Sequence, residues 1–257
     1  MELRFLGSTS LRVSPLGLGT VKMGRNQNVK YPQAFDLPTD KQIQILLNLC
    51  LELGINLIDT APAYGNSELR IGKLLPSPRQ QWVILSKAGE EFIDGQSHYD
   101  FSKNAITESV KRSLKRLNTD YLDCVLIHSN GEDEKIILED NALDTLASLK
   151  KEGYIRALGM STKTVEGGLL ALQHSDVVMA CYHPLYTAEK PVLDKAQQLH
   201  KGILIKKALL SGHLEKTKES NPIHANLDFI FKHPAISSVI IGTINPQHLR
   251  ENATHLR

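Results

Sequence analysis

Four ionisable residues fall just after consecutive short apolar runs. Asp59 follows INLI, Lys87 follows WVILS and His128 follows DCVLI, while Tyr64 lies in the loop after the first of them. A phenol has a usual pKa of about 10, and a nearby ammonium lowers it by favouring phenolate. A carboxylate beside the lysine keeps that ammonium charged and placed. A neutral imidazole can hydrogen-bond a carbonyl oxygen and orient it. Together the four make a proton donor aimed at an oxygen that becomes an alkoxide. They hold no reductant, so a hydride must come from a cofactor. Singly, each residue has a plainer reading: Asp59 before Thr60 as a turn or cap, Lys87 and His128 as strand ends reaching water. Chance does not readily put all of them at the ends of successive runs.

Such a set needs strands that deliver it to one place. The clearest helix spans Thr39 to Leu53, with Ile43, Leu46, Leu47, Cys50 and Leu53 on one stripe. Thr39 and Gln42 have capping-box spacing, and Gly54 supplies the stop. Short apolar runs at 13–20, 55–59, 82–87, 123–128, 154–160, 177–182, 203–208 and 238–242 alternate with amphipathic segments, which makes eight strand–helix units. Near-continuous apolar strands between such helices mean a parallel sheet buried on both faces. Eight units in a chain of 257 residues predict a closed (β/α)8 TIM barrel, read as a single domain over 1–257. The competing doubly wound sheet lacks its fingerprint: Gly17-Leu18-Gly19 opens like one, but Lys22 stands where the third glycine belongs and Gly24 comes too late.

Composition narrows the partners. Thirty Lys+Arg against twenty-eight Asp+Glu leave a net charge of +2, with no basic run to bind nucleic acid. The greasiest stretch, Gln42 to Ile58, is interrupted by Gln44, Asn48, Glu52 and Asn56, so no membrane span is expected. The opening MELRFLGSTSLRVSP lacks a signal-peptide pattern. Cys50, Cys124 and Cys181 contain no CxxC and read as buried reduced thiols, which points to a soluble cytoplasmic protein. Ten histidines without metal-ligand spacing suggest no metal. GEDEK (131–135) reads as a solvated turn, and Tyr182, His183, Pro184 and Tyr186 as loop packing.

LIDTAPAYGNSE (57–68), LSKAG (85–89) and LIHS (126–129) resemble the segments that carry the Asp–Tyr–Lys–His tetrad of the aldo-keto reductases. RFLGSTSLRVSPLGLGT (4–20) is similar to that family's N-terminal hairpin and first strand, and LKKEGYIRALGMST (149–162) and HPAISSVIIGTINPQHLRENA (233–253) to later segments, so the likeness runs nearly end to end. It implies a (β/α)8 barrel with a short N-terminal hairpin and NADPH across its mouth, NADH being possible. On this resemblance Tyr64 is the general acid, Lys87 and Asp59 tune it, and His128 orients the carbonyl. Gly19, Thr20 and Asp59 would border the nicotinamide and Ser161 would hold its carboxamide. Gly242 and Thr243 lead into the TINPQHL turn (243–249), matched to the segment that cradles the adenosine phosphate. Glu251 and Asn252 match the adenine-side pair.

Several positions depart from the family pattern. Thr162 stands where Asn is usual, Met179 replaces a strand Gln, Lys207 falls at the aromatic that stacks on nicotinamide, and His248 at the basic residue near the 2′-phosphate. The sequence ends at Arg257, which implies a missing or very short substrate-closing loop. The leading expectation is an NADPH-dependent oxidoreductase that reduces a small-molecule aldehyde or ketone. The alternatives are a catalytically weak nucleotide-binding barrel acting as a sensor or regulatory subunit, and a lyase or isomerase using Lys87 as a Schiff-base amine.

Overall fold

The apolar runs pair side by side and close on themselves. In the computed structural model, which describes residues 1–76, 78–213 and 220–256, β1 (Arg4–Phe5) and β2 (Arg12–Val13) form an antiparallel hairpin. The barrel strands are β3 (Leu16–Gly19), β4 (Leu57–Asp59), β5 (Val83–Ala88), β8 (Leu122–His128), β9 (Ile155–Ser161), β10 (Val177–Cys181), β11 (Gly202–Lys206) and β12 (Ile236–Ile241). A second hairpin, β6 (Glu90–Ile93) and β7 (Gln96–Tyr99), hangs from the end of β5. The eight parallel strands form a closed barrel in chain order, with β12 pairing back onto β3. Leu214, at the end of the segment that carries Lys207, and Arg257 lie outside the described residues.

Helices cover the outside, and their ends follow local chemistry. Asp40–Leu53 starts at the expected capping box: the Gln42 N–H donates to Thr39 Oγ1 and the Thr39 N–H to Gln42 Oε1. It stops at Gly54 with φ +75°, a left-handed cap that glycine adopts without a Cβ clash. The Ser102 hydroxyl accepts from the Ala105 N–H to cap Lys103–Arg116, and the Thr164 hydroxyl accepts from the Gly167 N–H to cap Val165–His174.

Strand alternation divides the apolar residues into two sets. Ile58, Ile84, Val125, Val178, Ile203 and Val239 join the outer core under the helices. Leu57, Val83, Leu85, Cys124, Leu126, Ala157, Val177, Met179, Leu204 and Ile240 fill the interior, and Leu6, Leu11 and Val13 from the first hairpin region join them. The inward set fixes a parity. Continued to the strand ends, it turns Asp59, Lys87, His128, Ser161 and Lys206 inward at the same mouth.

The segment 131–135, expected to be a solvated turn, is so only in part: Glu132, Glu134 and Lys135 are exposed, but Asp133 opens the helix Asp133–Leu138 and is 1% exposed. Its Oδ2 accepts from the Lys163 and Thr164 N–H groups, each at 2.8 Å, and it also binds the Ser129 hydroxyl. A run of acidic letters concealed a carboxylate that joins two loops.

Asp123, 2% exposed, locks two strand starts. Its Oδ2 accepts from Arg79 Nη2 at 2.7 Å and from the Ile84 N–H at 2.9 Å. Asp123→Ala leaves the buried Ile84 N–H without its acceptor and the half-buried Arg79 guanidinium without its counter-charge, although that guanidinium keeps hydrogen bonds to Thr119, Trp82 and Tyr121. Removing one partner of a buried pair costs about 3 kcal/mol or more, so urea unfolding of the variant is expected to show a loss of that size. A loss below about 1 kcal/mol, the scale of an exposed pair, would contradict this role.

Candidate active site

Asp59 and Tyr64 are each set by a backbone feature. Asp59 closes β4, and its carbonyl accepts from the Thr20 N–H at 3.0 Å and from Thr20 Oγ1 at 2.9 Å, which ties two barrel strands together at the mouth. Pro62–Tyr64 then make one helical turn led by proline. The chain reverses at Gly65, φ +60°, where a Cβ would lie 2.3 Å from the Gly24 carbonyl oxygen. Ser67 donates to Thr20 Oγ1 at 2.7 Å, and buried Glu68 accepts from Ser86 Oγ at 2.7 Å. The remainder of LIDTAPAYGNSE is thus a hydrogen-bonded frame for Asp59 and Tyr64.

Within that frame Lys87 is 2% exposed, and its Nζ donates to Asp59 Oδ1 at 2.5 Å and to the Thr60 carbonyl at 3.0 Å. The same Nζ lies 4.7 Å from the Tyr64 ring centre, and the Tyr64 and His128 rings meet edge to face at 6.2 Å. All four side chains line one cavity of about 880 Å³, a size that suits a small-molecule site. The four thus share one mouth, with Lys87 and Asp59 hydrogen-bonded directly and the two rings in edge-to-face contact.

The expected acidification of the phenol is absent. Burial raises the Tyr64 pKa well above its usual value, the Asp59 and Glu90 carboxylates raise it further, and Arg25 opposes them. Asp59 neutralises the Lys87 ammonium at contact distance, so its pull on the phenol is offset. Tyr64 is a fully loaded donor held back by its surroundings. Burial also lowers the His128 pKa, against the upward pull of Glu90, which favours the neutral imidazole that was expected.

The cavity runs from the tetrad to the last helix, Pro246–His255, and Gly19, Thr20, Ser161, Met179, Lys207, Gly242, Thr243, His248, Glu251 and Asn252 line it. Thr162 is different: its side chain is fully buried, and a Cβ on Gly168 would lie 3.5 Å from its Oγ1. Arg250 does not line the cavity and turns to Glu52 at 3.7 Å. Two features fit a bound dinucleotide. Asn252 Oδ1 is buried with no hydrogen-bond partner, an acceptor left open for a donor. Gly242 presents bare backbone where a Cβ would come within 2.8 Å of the Tyr31 hydroxyl.

Lys206, Glu90 and Tyr31 are site residues that sequence reasoning missed. Lys207 lies one residue beyond β11 at φ +57°. The inward position at that strand end, two residues after Leu204, belongs instead to Lys206. Its Nζ donates to Ser161 Oγ at 2.9 Å and to the Thr162 carbonyl. The residue matched to the carboxamide is therefore engaged by an ammonium. Strand parity carries the signal for Lys206. Glu90 and Tyr31 come from a hairpin and a loop, which carry none.

Burial lowers the Lys206 pKa from 10.5 to about 8. Between those values the unfolded chain binds more protons than the folded one, so this lysine makes stability rise with pH. Lys206→Met removes the rise. Its stability relative to the native protein is expected to be greatest near pH 7 and to shrink from about pH 8 to 10.5, read by urea unfolding. A difference that stays constant across that window would contradict it.

The geometry agrees with comparison to known proteins. Residues 15–226 match the model of the aldo/keto reductase family. An uncharacterized oxidoreductase, YqkF of Bacillus subtilis, is 28% identical, with 98% of this chain and 90% of that protein aligned. An NADH-specific methylglyoxal reductase of Escherichia coli is 33% identical over 75% of this chain and 60% of its own length. Among solved structures, a putative aldo-keto reductase from Pseudomonas aeruginosa is 50% identical, covers 99% of this chain and 93% of its own, and superposes with a TM-score of 0.89. The holo form of an aldo-keto reductase from Bacillus halodurans is 25% identical, covering 100% and 91%, with a TM-score of 0.84. A tetrad at the mouth of an eight-stranded barrel and this similarity lead to one conclusion: the chain belongs to the aldo-keto reductase family and is an NAD(P)H-dependent oxidoreductase.

Proposed function

We propose that this protein reduces a small aldehyde or ketone to an alcohol, with NADPH as the preferred cofactor and Tyr64 as the proton donor. The observation that carries the reading is the buried Lys87–Asp59 contact with the Tyr64 ring beside it, inside the cavity. A nicotinamide, when bound, supplies the hydride. Ser161, Gly19 and Thr20 line the tetrad end and suit the nicotinamide; Gly242, Thr243, His248, Glu251 and Asn252 line the other end and suit the adenosine portion.

The chain's own residues handle the proton. Tyr64 keeps its hydroxyl proton while the carbonyl binds, because burial and two carboxylates oppose phenolate. As negative charge grows on the substrate oxygen, that proton gains an acceptor, and the Lys87 ammonium balances the phenolate left behind. Lys87 donates to a carboxylate and a carbonyl, which opposes its use as a Schiff-base nucleophile. The sensor alternative finds no supporting observation. Three buried free cysteines suit a cytoplasmic location.

Tyr64→Phe keeps the ring and removes the donor. Steady-state reduction of an activated aldehyde is expected to fall by about two orders of magnitude or more, with NADPH binding, read by fluorescence titration, nearly unchanged. Retention of most of the activity would remove Tyr64 from the acid role.

Cofactor preference is expected to be modest. Arg250 is turned away and His248 is the basic residue of its turn that lines the cavity, and an imidazole holds a phosphate less firmly than a guanidinium fork does. Dissociation constants are expected to show NADPH favoured over NADH by about tenfold or less. A margin of about a hundredfold or more would show that another cation holds the 2′-phosphate.

A further inference from the structure

The second hairpin places a buried carboxylate behind one member of the tetrad. Glu90 is 7% exposed, three residues after Lys87 at the start of β6. Its Oε2 lies 2.7 Å from His128 Nδ1, and its Oε1 accepts from Ser97 Oγ at 2.6 Å across the hairpin. The Oε2 atom misses the in-line direction of an Nδ1–H bond. Two lone pairs at this separation repel, and the nitrogen facing an ionised carboxylate must carry the proton. Nδ1 is fully buried although the side chain is 21% exposed, so the accessible edge of the ring is the one away from Nδ1, which carries Nε2.

We propose that Glu90 is a positioning residue that fixes the proton of neutral His128 on Nδ1, so that Nε2 meets a substrate oxygen as a hydrogen-bond acceptor and becomes a donor only when the ring is charged. This rests on the carbonyl-reductase reading of the site. It also changes that reading: beside neutral His128 a carbonyl takes its hydrogen bond from Tyr64 alone, and charging the ring adds a second donor. The alcohol product, which has a hydroxyl to give, fits neutral His128 better than the carbonyl does.

The surrounding charges agree with an ionised Glu90. Arg25 and Lys163 face it, Ser97 donates to it, and Tyr99 lies beside it. Around His128 stand Lys87 and Lys206, which oppose its protonation, together with the Tyr64 ring. Glu90 is the carboxylate in contact with His128 among the described residues.

The test is 15N NMR of the histidine rings in the full-length protein, with His128 assigned by its loss in His128→Asn. At pH 8 the native ring is expected to show a protonated Nδ1 and an unprotonated Nε2. In Glu90→Gln the proton is expected to redistribute toward Nε2, and the midpoint of the ring's titration to fall by about one to three pH units, the effect of removing an opposite charge at contact. Glu90→Asp retains the charge and is expected to hold the midpoint above that of Glu90→Gln. Should Glu90→Gln fail to fold, the native spectrum and Glu90→Asp still decide. A native Nε2–H tautomer, or one midpoint for both variants and the native protein, overturns the proposal.

An activity arm separates this inference from the reading beneath it. The kcat/KM for an activated aldehyde is expected to rise as pH falls through the His128 midpoint, with that limb displaced to lower pH in Glu90→Gln. Absence of any reduction, with the tautomer as expected, would sink the reductase reading and leave the Glu90–His128 assignment standing. A limb that stays in place while the NMR midpoint moves would sink the claimed role of the tautomer in binding substrate.

Discussion

The contact between Lys87 and Asp59 organises the mouth of this barrel. Two opposite charges meet at 2.5 Å where each side chain is almost wholly buried. Burying such a pair carries a desolvation cost that its attraction repays only with good geometry and further hydrogen bonds, so the pair is a weak source of stability. Its value lies in placement. The Thr60 carbonyl takes a second Lys87 proton, and the Asp59 carbonyl receives two hydrogen bonds from Thr20. Neither side chain can move far without breaking contacts between adjacent strands. Tyr64, on its proline-led turn, packs against a cation whose position is settled beforehand. That preorganisation is what proton transfer at a developing alkoxide requires.

Much of this was legible because strand parity is a strict physical rule. Eight apolar runs, the Thr39 capping box and the Gly54 stop all appear in the structure. Asp59, Lys87 and His128 could be placed at one mouth because each follows a run whose inward members differ from it by an even step. The same rule, continued from Leu204, adds Lys206 to the inward set, while Lys207, one residue past the strand, also lines the cavity.

What sequence could not supply is what long-range packing decides. Glu90 reaches His128 through a hairpin that pairs Glu90 with Tyr99, and no periodicity connects residues 90 and 128. Tyr31 enters the cavity from an irregular segment. Asp133 looked like one of several solvated acids until the 163–164 backbone closed over it. The upward direction of the Tyr64 pKa has a related cause. A lysine beside a phenol suggests acidification, yet burial and the Asp59 and Glu90 carboxylates act on the same oxygen.

The cavity therefore gathers Asp59, Tyr64, Lys87 and His128 in altered surroundings. Met179 gives an apolar wall, Lys206 occupies the Ser161 hydroxyl, and Lys207 adds a further cation at the rim. In the proposed reaction this altered site still passes a hydride from a nicotinamide to a carbonyl carbon. Hydride transfer is read by mixing the protein with an aldehyde and NADPH deuterated in turn at each face of nicotinamide C4, then analysing the alcohol by mass spectrometry. One deuterium is expected on the carbinol carbon, from a single labelled face. Equal transfer from both faces, or alcohol formed without deuterium from either, would contradict it.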